Sequence, residues 1–305
     1  MRMLVAAMLL ACGTVAIAQT PEPSAAANST VNPPAATPAS PSPVAYGKPI
    51  STDIKPAGIV TFKSEGRDIQ AYQVEPVVAG PHPSVIVVSD IFGMTDWVKK
   101  RADLLAEQGY TVLVPNIYSR IPDTAHGVNA QQAYVDYAQT ADQQVMTDIS
   151  GAIDYLQADG KPTAGQPLAI VGYDMGGIYA MMIAGTDLRV TAAVNYYGRI
   201  LYTTTSRNRP LSPVDDLFNL HAPLLNFYGT NDPQAPDDQI TALESRLSHN
   251  PNGVYYDVVR YPGVGHGFLV PTRQGYNAQA AEQSEKRTRD FLAEWLRAAP
   301  RKEEE

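Results

Sequence analysis

Three side chains able to do chemistry each stand at the end of, or shortly after, a stretch rich in apolar and β-branched residues. They are Asp174 after Leu168–Tyr173, Asp232 after Leu224–Gly229, and His266 after residues 255–261. A carboxylate can serve as a covalent nucleophile or as a base toward water. An imidazole can serve as the general base, and a second carboxylate can fix its tautomer and stabilise its cation. The first of the three lies in Gly172-Tyr173-Asp174-Met175-Gly176-Gly177, with small and apolar residues at helical spacing beyond it. Glycines at 172 and 176 allow a strand and a helix to meet closely around a sharp turn. The residue at the tip of such a turn is held in a strained conformation with its side chain outward. Each residue also has a plainer reading. Asp tolerates left-handed backbone, Asn231-Asp232-Pro233 suits an ordinary turn, and His266 between Gly265 and Gly267 suits a hydrogen-bonded loop. Their shared position at strand ends favours a common reactive rim.

The elements that would place them there follow from periodicity. Residues 59–62 and 69–74 alternate apolar and polar around Glu65-Gly66, which predicts a β-hairpin at a sheet edge. Residues 84–89, 110–115, 168–173, 190–194, 224–229 and 255–261 read as strands, several of them apolar throughout, as strands buried on both faces are. Helical spacing covers residues 98–108, one or two helices within 129–157, a helix after Asp174, then 240–247 and 281–297. Strands alternating with helices predict an α/β fold, a mostly parallel central sheet with helices on both faces. Ligands of such sheets bind at the carboxyl ends of the strands, where the three residues fall.

The strand, the Gly-x-Asp-x-Gly turn and the helix resemble the nucleophile elbow of α/β-hydrolases, where the tip usually reads Ser. The order nucleophile, acid, histidine is also theirs. Five pieces in order make residues 54–296 resemble the dienelactone hydrolase family. They are Ser89-Asp90-Ile91-Phe92-Gly93-Met94, Pro115-Asn116-Ile117-Tyr118-Ser119-Arg120, the Gly-Tyr-x-x-Gly-Gly elbow, Tyr196-Tyr197-Gly198, and Gly265-His266-Gly267-Phe268. The resemblance implies the α/β-hydrolase fold and a hydrolase acting on a small molecule. It implies a triad in which Asp174 replaces the family's Cys nucleophile, with His266 as base and Asp232 as orienting acid. It further implies an oxyanion hole from the backbone N–H groups of Ile91 and Met175, and a substrate pocket that includes Asp90, Tyr118 and Arg120. Asp at this elbow resembles haloalkane dehalogenases and epoxide hydrolases, whose carboxylate attacks an sp³ carbon and forms an aspartyl ester that activated water then hydrolyses. The other reading is a non-catalytic protein that keeps the fold and binds a small molecule.

Composition bounds the rest. The chain has 305 residues and a net charge of −8, with no basic run, which argues against a nucleic-acid partner. No cofactor is expected, and no metal, because Asp90, Asp174 and His266 have no second His or Cys beside them. Arg2, the apolar residues 4–10 and Ala16-Ile17-Ala18 read as a secretory signal over residues 1–18, too short for a membrane span. Periplasmic or secreted localisation is therefore expected. The alternative processing is a lipid anchor at Cys12, the one cysteine, but the apolar stretch before it is very short. Residues 19–50, rich in Pro, Ala and Ser, read as a disordered linker. Residues 51–298 read as the hydrolase domain and 299–305 as a charged tail. His82, His221 and His249 read as surface or turn residues, and His126 as part of a loop that could overhang the cleft.

Overall fold

The computed structural model describes residues 53–121 and 129–296. The expected signal, Cys12, the linker, His126 and the charged tail lie outside the described residues.

Among the described residues eight strands form one sheet. The first two, β1 (Gly58–Ser64) and β2 (Arg67–Val74), are an antiparallel hairpin. Its two-residue loop, Glu65-Gly66, has positive φ at both positions, 44° and 76°. Such a loop matches the natural twist of the strands it joins. The six strands β3 (Ser84–Val88), β4 (Thr111–Pro115), β5 (Leu168–Tyr173), β6 (Ala192–Tyr196), β7 (Leu224–Gly229) and β8 (Tyr256–Tyr261) run parallel, in the overall order β1-β2-β4-β3-β5-β6-β7-β8. The expected strand at 190–194 sits two residues later, because Val190 closes the turn before it, with its N–H bonded to Asp187 O.

Helices α1 (Asp96–Ala106), α2 (Ala130–Gln139), α3 (Asp142–Gln157) and α4 (Met175–Thr186) fall in the first two-thirds. The four-residue α5 (Pro213–Asp216), α6 (Asp237–Ser248) and α7 (Ala278–Trp295) follow. The sheet is apolar on both faces, so alternate residues of one strand enter different cores. Leu168 and Ile170 of β5 pack with α3 and α4, while Ala169 and Val171 pack on the side of α1 and α7. This two-sided burial is why the parallel strands read as unbroken apolar runs.

β3 is flanked by β4 on one side and β5 on the other. The chain reverses its direction of travel across the sheet at this point, and the loops leaving β3 and β5 diverge to leave a crevice. Asp90 follows β3 and Asp174 follows β5.

His82 is buried rather than at the surface. Its ring nitrogens lie 2.8 Å from Gly80 O and 2.7 Å from Thr111 Oγ1. With both nitrogens satisfied, the ring is buried at little cost. His221 is half-buried against Asp187 O, and His249 sits exposed at the C-terminus of α6.

Candidate active site

The turn between β5 and α4 is as tight as its glycines imply. A Cβ on Gly172 would overlap the Gly176 carbonyl, and one on Gly176 would overlap the Val88 carbonyl of the neighbouring strand. Asp174 occupies the tip with φ 52° and ψ −112°, outside the ordinary regions for a non-glycine residue. Its N–H is held by Tyr196 O at 3.0 Å. The side chain stands at the N-cap of α4 yet makes no capping bond. It turns toward the imidazole instead.

His266 Nε2 lies 3.1 Å from Asp174 Oδ1, and His266 Nδ1 lies 2.7 Å from Asp232 Oδ2. The Asp232 side chain is fully buried, and its other oxygen accepts the Gln234 N–H at 2.8 Å. The carboxylate is thereby fixed on one side by backbone and on the other by the ring. Burial works against an imidazolium, but the hydrogen bonds and charges of Asp174 and Asp232 outweigh it and raise His266 to about 9. Burial likewise pushes Asp174 up. The His266 hydrogen bond and charge, then Arg273 and the Met175 N–H, reverse this and hold its carboxyl below the usual range. At neutral pH these shifts pair an Asp174 carboxylate with a His266 imidazolium. The Tyr197 ring meets His266 edge-on at 5.1 Å from a backbone also forced to positive φ, 45°.

Asp90 approaches from the β3 loop. Its Oδ2 accepts from Arg273 Nη2 at 2.6 Å and its Oδ1 from the Phe92 N–H at 2.9 Å. Burial pushes Asp90 up; Arg273 opposes this and the charge of Asp174 adds to it. Arg273 also lies over the Phe92 ring, 4.8 Å from its centre. Tyr118 is buried and donates its hydroxyl to Ile91 O at 2.7 Å, which fixes the loop beside the elbow. Arg120 goes elsewhere. Its guanidinium bonds Asp148 of α3 and the Ser64 oxygens at the end of β1, and it does not line the cleft at Asp174. Asp148 offers a buried carboxylate at 2.6 Å, which draws Arg120 away from the expected substrate pocket. Tyr173 packs between Trp97 and Tyr196, with centroid distances of 5.0 and 5.1 Å.

Ile91, Met175 and Ile178 give the cleft above Asp174 one apolar wall, and Tyr134 and Tyr137 of α2 face it. Arg199 and Gln234 complete it, and about 30 Å³ is left open. Arg199 and Gln234 carry no motif of their own. The signal that could have found them is proximity, since each follows within two residues of a segment already singled out, Tyr197-Gly198 or Asp232. A larger cavity of about 390 Å³ lies between α3, α4 and residues 210–216. It touches none of the residues at the strand ends, and the convergence of titratable groups marks the candidate site better than size does.

The arrangement fits what the chain is similar to. Residues 69–296 match the model of the dienelactone hydrolase family. A protein named carboxymethylenebutenolidase from Methylorubrum extorquens is 32% identical over 256 residues, covering 83% of this chain and 87% of that one. A Bradyrhizobium protein named 2-oxo-3-(5-oxofuran-2-ylidene)propanoate lactonase is 30% identical over 235 residues, covering 76% of this chain and 92% of that one. Among solved structures, a dienelactone hydrolase from Klebsiella pneumoniae superposes with a TM-score of 0.71 at 29% identity, covering 80% of this chain and 98% of that one. The fold, the matched span and these relatives together establish the chain as a hydrolase of the dienelactone hydrolase family.

Proposed function

We propose that this hydrolase uses Asp174 as a covalent nucleophile on a small molecule. The observation that carries this is the line from Asp174 Oδ1 to His266 Nε2 at 3.1 Å and from His266 Nδ1 to Asp232 Oδ2 at 2.7 Å. An Asp174 oxygen attacks an sp³ carbon, the bond from that carbon to its leaving group breaks, and the leaving group departs with the electron pair. The product of this step is an alkyl ester of Asp174.

Esterification removes the negative charge on Asp174, one of the two that hold the proton on His266. The imidazolium then yields that proton more readily, to solvent or to an oxygen freed by epoxide opening, and His266 becomes a base when one is needed. It takes a proton from water, whose oxygen attacks Cγ of Asp174. The oxyanion that forms is on Asp174 itself. Its donors are the N–H groups of Met175 and Ile91, and the latter has no acceptor among the described residues. Collapse expels the alkoxide, which takes the proton from His266, and the carboxylic acid left on Asp174 passes its proton to the imidazole, restoring carboxylate and imidazolium. The balance is substrate plus water giving an alcohol and the protonated leaving group.

The test is a single turnover in ¹⁸O-water with enzyme in excess. Label in the Asp174 carboxylate is expected. Label confined to the product would overturn the ester. It would favour the second reading, drawn from the lactonase-named relative, in which Asp174 acts as a base toward water that attacks a lactone. Arg2, residues 4–10 and Ala16-Ile17-Ala18 support a place outside the cytoplasm for either reaction.

A further inference from the structure

We infer that Asn195 is a positioning residue, whose buried amide sets the distance between Asp174 and His266. The inference rests on the reading of Asp174 and His266 as the reacting pair. Asn195 lies in β6 behind Ala192, Ala193 and Val194 and is fully buried. An amide there costs free energy unless its hydrogen bonds are made. They are made, and they converge on one residue. Oδ1 accepts the Gly198 N–H at 2.9 Å, and Nδ2 donates to Tyr228 Oη at 2.7 Å and to Asn226 Oδ1 at 3.0 Å. Tyr228 in turn donates its hydroxyl to Gly198 O at 3.1 Å. One amide thus holds both polar groups of Gly198, the N–H directly and the carbonyl through Tyr228. Asn226 faces Asn195 across the β6–β7 ladder and donates to Asp257 O at 3.2 Å, which ties the network to β8.

Gly198 closes a short turn that touches both members of the pair. Tyr196 O accepts the Asp174 N–H at 3.0 Å. Tyr197, held at a positive φ of 45°, meets the His266 ring edge-on with centroids 5.1 Å apart. The helix that begins after Asp174 rests on the same amide. A Cβ on Gly177 would overlap Asn195 Oδ1, and one on Gly198 would come within 2.6 Å of Ile178 N. Asp174 and His266 are therefore both referred to a single turn, and that turn is fixed by Asn195.

Packing alone gives no reason for an amide at this position. A leucine has the same branched shape and would fill the space, but it would leave the Gly198 N–H and the Tyr228 hydroxyl each short of a partner. What Asn195 adds is a turn with one allowed geometry. The proton affinity of His266 is a gauge of that geometry, because the Asp174 hydrogen bond is among its causes.

The experiment is NMR titration of the His266 ring, raised to about 9 in the wild type. Asn195→Leu should weaken proton binding there about tenfold, a fall of about one unit. Asn195→Asp keeps an oxygen for the Gly198 N–H and should lose less. Ile149→Val, in the core at α3, makes none of these bonds; it should lower the melting temperature and leave the titration alone. An unchanged His266 in folded Asn195→Leu overturns the inference. So does an equal fall in Asn195→Asp or in Ile149→Val. If Asn195→Leu does not fold, Tyr228→Phe decides, since it frees Gly198 O and leaves the Gly198 N–H bonded: a smaller fall supports the inference and no fall overturns it. The titration requires no turnover. A fall in Asn195→Leu without ¹⁸O label in wild-type Asp174 would defeat the ester mechanism and leave the positioning in place, and label with an unchanged titration would do the reverse.

Discussion

Arg273 is paired with Asp90 at 2.6 Å and not with Asp174, although its charge lowers the pKa of both carboxylates. The pair keeps Asp90, a buried acid, from standing bare beside Asp174. Removing one partner of such a pair costs more than removing both, since the group left behind has lost its hydration without compensation. Arg273→Leu should therefore destabilise the fold by about 3 kcal/mol, the low end for a broken buried pair. Asp90→Asn added to it should restore part of the loss. Urea denaturation of the two single variants and the double variant checks this, and additive losses would contradict it.

The protonation of His266 should depend on Asp174. With both carboxylates present it is raised to about 9. Asp174→Asn removes a charge and weakens a hydrogen bond to the imidazolium, so the value should fall toward the ordinary 6.5. Titration of the ring by NMR gives the shift directly. The same variant should lose turnover by a factor of a thousand or more, on the order of a removed nucleophile.

Stability should follow pH with a defined sign. The folded His266 is raised above its unfolded value of 6.5, so the stabilisation it supplies is complete below pH 6.5 and is lost as pH rises through about 9. Asp174 is depressed below its usual range, so its contribution is present above 3.8 and fades as pH falls through the lower folded value. The difference in melting temperature between wild type and His266→Gln should shrink between pH 6.5 and 10. A constant difference would show that the imidazolium is not held as the distances indicate.

Gly176→Ala should cost several kcal/mol, in the range reserved for strain and overpacking, because the new Cβ would overlap the Val88 carbonyl, which is backbone and cannot swing aside. Gly160→Ala is the useful control. Gly160 has open space around it and differs only in its positive φ of 81°, so its loss should be smaller. Thermal melts of the two variants compare them.

The order of elements was legible because parallel strands buried on both faces leave unbroken apolar runs, as in 84–88 and 168–173. The elbow was legible because Gly172 and Gly176 are required by backbone contact. Short elements were not: α5 and the 3₁₀ turn Leu217–Asn219 have too few residues to show a period. Side-chain direction was not legible either. Arg120 follows Tyr118 by two positions, yet a carboxylate 28 positions further on captures it. Arg199 left no trace for a different reason, since nothing in its spacing shows that the turn after Tyr197-Gly198 carries it to the cleft at Asp174.

The glycine contacts around the elbow have one more implication. They immobilise positions 172, 176 and 177 against main chain or the buried Asn195 side chain, while position 174 stands at the tip of the turn, set by its dihedral angles and its reach to the imidazole. The scaffold therefore works as a socket with an exchangeable tip. A different side chain at that one position leaves the backbone contacts around it untouched, so the tip can vary while the architecture beneath it cannot.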